Sequence, residues 1–186
     1  MSALTDEVKN LITSAVSGAG DILSTAQNVA KENVVKAVQG VGTVAVDGIQ
    51  AIDEVVSSGV EALAGTGSAL TNGVTGLIKG VVGAAKEVGV GTAESAGEAA
   101  SVAIKTASRV GEDIGIVAIS SVQGAIEAAG DIGEESAELA KGAVLGSIRA
   151  ADEIGSETGS LVRKALLNAA SLPHDVIDAL LTGKRE

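Results

Sequence analysis

The sequence predicts an all-α protein made of long amphipathic helices, drawn out as an extended rod or folded into a hairpin or bundle. Three observations predict it. A residue pattern recurs every 22 positions, the charges keep to one side of the helical wheel that this period defines, and no sustained period-two alternation suggests a strand. Twenty-two residues over six turns is 3.67 per turn, the 11-residue period that keeps an apolar stripe aligned along a nearly straight helix.

Cut from Met1, the chain gives eight units, starting at Met1, Leu23, Ala45, Gly67, Gly89, Gly111, Gly133 and Gly155. The sixteenth position of successive units carries Val16, Val38, Val60, Val82, Ile104, Ile126 and Ile148. The last position carries Val110, Ile132 and Ile154 among others. Together these residues form the expected surface or assembly face. Before Lys184, every charged side chain except Glu7 lies on the opposite arc of the wheel. Glycine opens five consecutive units. Small residues four apart let helix backbones approach closely. Gly89, Gly111, Gly133 and Gly155, with Gly115 and Gly159 a turn further on, are therefore expected at close helix contacts.

Residues 1–170 read as the repeat array and 171–186 as a short C-terminal helix with a charged tail. Weak breaks are expected at Gly18-Ala19-Gly20 and Gly40-Val41-Gly42. A turn is expected near 64–74, where Gly65-Thr66-Gly67-Ser68 and Thr71-Asn72-Gly73 gather turn-forming residues. Thr92 to Ala170 has few breakers and reads as one long helix. Pro173 suits a helix start with Asp175 favouring its dipole, so a last helix is expected over Leu172–Leu181, stopped by Gly183. Each glycine inside a helix costs about 1 kcal/mol relative to alanine. Helices this rich in glycine need their apolar face covered, by another helix, another copy of the chain or a non-protein surface.

Composition closes off much chemistry. The chain has no Cys, one His and no aromatic residue. Disulfides, thiol nucleophiles and the usual zinc sites are therefore excluded. The net charge of −11 argues against nucleic acid. Adjacent acids at Asp53-Glu54, Glu112-Asp113, Glu134-Glu135 and Asp152-Glu153 point about 100° apart on a helix and read as solvated charges rather than converging ligands. No phosphate loop, dinucleotide fingerprint or calcium loop occurs. Neither a signal peptide nor a transmembrane stretch is visible, so a cytoplasmic location is expected, with peripheral attachment to a lipid or polymer body as an extension of it. The sequence thus predicts no enzyme: no catalytic residues, no metal ligands and no cofactor.

The segment Gly73-Val74-Thr75-Gly76-Leu77-Ile78-Lys79-Gly80-Val81-Val82-Gly83-Ala84-Ala85, set in tandem 11- and 22-residue amphipathic units, resembles the repeats of perilipins and synucleins. The whole array is similar in kind to those of exchangeable apolipoproteins. The resemblance implies a protein that coats a hydrophobic surface such as a lipid droplet, neutral lipid or polymer granule. Two features of this chain depart from those repeats. Pro173 is its only proline, and its apolar face has one basic edge (Lys9, Lys31, Lys141, Arg163) and one acidic edge (Asp47, Asp113, Glu135, Glu157). That asymmetry disfavours an anionic membrane and suits helices lying side by side with their edges paired. The alternative reading is therefore a self-packing filament, shell or scaffold, with homo-oligomers expected. An ice-binding or desiccation-stress helix is the lesser alternative, because Thr5, Thr71 and Thr158 form no common column.

Overall fold

The structure, a computed structural model, describes residues 3–18, 20–41 and 44–182. Among them are nine α-helices: α1 (Ala3–Ser17), α2 (Ile22–Val41), α3 (Val44–Leu63), α4 (Ser68–Val88), α5 (Thr92–Val110), α6 (Ile114–Ile132), α7 (Ser136–Ile154), α8 (Ser156–Asn168) and α9 (His174–Thr182). No strand occurs among the described residues. Each helix packs on its neighbour in sequence and on the helix two further along. The chain therefore zigzags between two layers, α2, α4, α6 and α8 in one and the odd-numbered helices in the other. The protein is an all-α helical repeat structure.

The expected long helix over Thr92–Ala170 is four helices, α5 to α8. Helices end at Val88, Val110, Ile132 and Ile154, and begin at Thr92, Ile114 and Ser136, each series in steps of 22. A 19-residue helix and a three-residue link fill one unit, so the apolar phase survives each turn and mimics a continuous helix. The first residue of the unit makes the turn. At Gly111 the backbone is left-handed (φ 80°), and its N–H and that of Glu112 both donate to Ala107 O. A side chain at such a φ costs about 1–2 kcal/mol. Gly89 and Gly133 repeat the arrangement. Gly155 is extended and joins α7 directly to α8.

The turn at Gly65-Thr66-Gly67 forms as expected, whereas Thr71-Asn72-Gly73 lies inside α4. Gly73 is there for packing, because the Leu63 side chain occupies the place a Cβ would take. The chain breaks between Ser17 and Ile22, with Ala19 outside the described residues, and α2 runs on through Val41, with Gly42 outside them. The last helix starts at His174, two residues after the expected Leu172, and Ile177 N–H donates to Pro173 O (3.2 Å) across its first turn. Gly183 and the charged tail lie outside the described residues.

The core is a continuous sheet of small side chains between the layers, with Ala96, Ala99, Ala100, Ala103 and Ala107 of α5 among those fully enclosed or nearly so. The accessible surface, 8450 Å², is close to the roughly 8,100 Å² expected of a compact monomer of this mass, which excludes an extended rod.

Candidate functional site

The predicted apolar face is brought together, but inwards. Val60, Val82 and Ile104 are fully buried and Val38 nearly so. Val16, Ile126, Ile132 and Ile148 are partly buried and packed against the same core. Val110 is half-buried, and only Ile154 is exposed, at 41%. The stripe is covered by the chain's own second layer and by lateral neighbours.

The predicted packing glycines divide into two groups. Gly89, Gly111 and Gly133 end helices, and Gly155 links two; space is open beside all four. Gly115 does lie in a close contact, beneath Ala165 and Leu161 of α8. At Gly159 the space is taken by the Asp152 carboxylate, which Arg163 holds through two hydrogen bonds of 2.7 Å. The closest backbone approaches are made by glycines not singled out from the sequence. Cβ atoms on Gly76 and Gly80 of α4 would stand 2.3 Å from Leu23 O and Gln27 O of α2. On Gly142 and Gly146 of α7 they would meet Ala93 O and Gly97 O of α5, and on Gly124 of α6 they would meet Thr75 O of α4. Both leading pairs are spaced by four, the signal that could have found them. They sit on the charge-bearing arc of the wheel, where packing was not expected.

Ion pairs cross the same lateral seams, from one helix to the second one along. Lys31 reaches Glu87 (3.1 Å), Lys79 reaches Glu127 and Asp131 (3.3 Å each), and Lys105 reaches Glu153 (2.8 Å). Lys86 reaches Glu134 (2.8 Å), whose other oxygen accepts from the Thr92 hydroxyl. Glu61 of α3 joins three helices, pairing with Lys9 of α1 and Arg109 of α5. Of the predicted basic edge, Lys9 and Lys31 pair across these seams, but with Glu61 and Glu87; these pairs use none of the predicted acidic edge, so the two predicted edges do not pair with each other. The adjacent acids are also employed: Glu112 accepts the Gly65 N–H, and Asp113 caps α6 by accepting the Ile116 N–H (3.1 Å). Exposed pairs contribute little individually. They recur between helices two apart in the chain.

The electrostatics follow. The Lys9 hydrogen bond, opposed by partial burial and aided by Arg109, lowers the Glu61 pKa below 4.5. Burial would lower the Lys79 pKa, but hydrogen bonds to Glu127 and Asp131 outweigh it and raise the value. A carboxylate with a lowered pKa adds stability above its unfolded value and loses it as pH falls through the folded one. Stability is therefore expected to decline as pH drops below 4.5, and Glu61→Gln should flatten that acid limb in urea denaturation while lowering stability at pH 7.

No group of residues suited to holding a metal occurs among the described residues, and His174 lies exposed at the start of α9. None of the described helices is long and apolar enough to cross a membrane.

No known family matches the chain, and neither does any curated protein. Its fold is similar to the crystal structure of a de novo designed helical repeat protein. The two share 18% identity, with 96% of this chain and 95% of that chain covered and a TM-score of 0.53. The likeness is one of fold.

Proposed function

We propose that the chain is a non-enzymatic structural scaffold, a self-packing helical array that offers its outer faces to other macromolecules, including further copies of itself. The observation that carries this reading is the burial of Val60, Val82 and Ile104 inside the chain's own core. A coat on a lipid or polymer body would have to present that face outwards, so the array would first have to open. The odd-numbered helices hold most of the net charge of −11, which disfavours anionic lipid or nucleic acid on that side.

The test is circular dichroism and sedimentation of dilute protein with and without a neutral-lipid emulsion. The expected result is high helicity and cooperative melting in plain buffer, unchanged by the emulsion. A chain that is mostly coil in buffer and becomes helical on the emulsion would overturn the scaffold reading and restore the coat.

A further inference from the structure

The outer side of the odd layer carries a feature that the internal packing does not use. α5 and α7 run side by side with their backbones nearly touching at Gly97, Gly142 and Gly146, which leaves a shallow groove of about 350 Å³ above them. Its α5 bank carries Glu94 and Glu98. Its α7 bank carries Lys141 and Arg149, with Glu138 a turn before Lys141 and Leu145 standing 42% exposed between the two bases. The other bases of this layer, Lys9, Lys105 and Arg109, are all in ion pairs. Lys141 and Arg149, with Glu94 and Glu98 opposite, make none with the described residues.

We propose that this groove docks a second copy of the chain about a two-fold axis running along it. The inference rests on the scaffold reading and specifies its partner. Such an axis sets the acidic α5 bank of each protomer against the basic α7 bank of the other. The levels also agree. Gly142 abuts Ala93 and Gly146 abuts Gly97, so Lys141 stands within about one helical turn of the level of Glu94, and Arg149 within one of Glu98. A two-fold across the groove would instead oppose Glu94 and Glu98 to their own copies, which is repulsive. The groove is formed by α5 and α7 alone. Each is 19 residues long, about 28 Å, and the pair spans about 20 Å, giving roughly 600 Å² per protomer. Standard interfaces bury about 800 Å² a side, so the dimer is weak and exchanges rapidly.

Sedimentation equilibrium up to about 1 mM protein tests this. The weight-average mass of the native chain should rise with concentration towards that of a dimer. Lys141→Glu with Arg149→Glu makes both banks acidic, and Glu94→Lys with Glu98→Lys makes both basic. Each double variant alone should stay monomeric, and a mixture of the two should dimerise. Far-UV spectra check that both remain helical. If either does not, Lys141→Gln with Arg149→Gln takes its place and should weaken association about tenfold. A native chain monomeric throughout the range, or a mixture of helical variants that stays monomeric, overturns the dimer. A helical monomer would leave the scaffold reading standing, whereas loss of helicity in plain buffer would remove that reading itself.

Discussion

Gly80→Ala should destabilise the protein by about 2 kcal/mol, although alanine is the better helix former by about 1 kcal/mol. The new Cβ would stand 2.3 Å from Gln27 O and 2.7 Å from the Ala30 Cβ, and backbone cannot rotate aside as a side chain can. α4 must then lift off α2, the most extensively packed helix pair in the molecule. The same substitution at Gly146, aimed at Gly97 O, should behave alike across the α5–α7 seam. Gly130→Ala is the control. That residue is exposed within α6 with nothing near it, so the helix gain of about 1 kcal/mol should appear undiminished. Thermal melts read the contrast, at about 2–4 °C per kcal/mol for a chain of this size. Stabilisation of all three variants would mean that the helices do not touch at their glycines.

Those seams explain what could and could not be read from the residues alone. The helical class, the turn at Gly65–Gly67 and the helix after Pro173 each follow from a local preference that the tertiary arrangement leaves intact, whereas packing against Leu63 overrides the turn preference of Thr71-Asn72-Gly73. The four-way division of Thr92–Ala170 was concealed because links such as Gly111-Glu112-Asp113 complete a 22-residue unit without shifting the apolar phase. A glycine there looks the same on a wheel whether it packs against a helix or ends one. The wheel also assumes one buried face. A helix in a two-layer array has a second set of contacts, with its lateral neighbours, and these fall on the arc that carries charge. Gly76 and Gly80, or Gly142 and Gly146, are uncharged gaps in that arc where backbones meet, and Lys79 and Glu127 flank such a gap as a paired bridge. The helix break at Gly111 also explains Asp113. Capping needs an acceptor at a helix start, which a continuous helix would not have offered.

Ile104→Asp should be the most damaging single substitution in the apolar column. Ile104 is fully enclosed on α5, which contacts α3, α4, α6 and α7. An aspartate there would bury a carboxylate with no partner, at a cost of about 3–5 kcal/mol. In an array whose units are stabilised by their neighbours, losing the central helix also deprives both flanks of a neighbour. Hydrogen exchange should therefore speed up in α3 and α7 as well as in α5, and the urea midpoint should fall sharply. Ile154→Asp is the comparison. It belongs to the same predicted face, but it stands 41% exposed at the end of α7, and its change should stay within about 0.5 kcal/mol. On an outward-facing stripe the two substitutions would leave stability equally intact and would both abolish surface binding. A large stability difference between these two positions therefore tests directly whether the stripe closes the protein's own core or faces outwards to a surface.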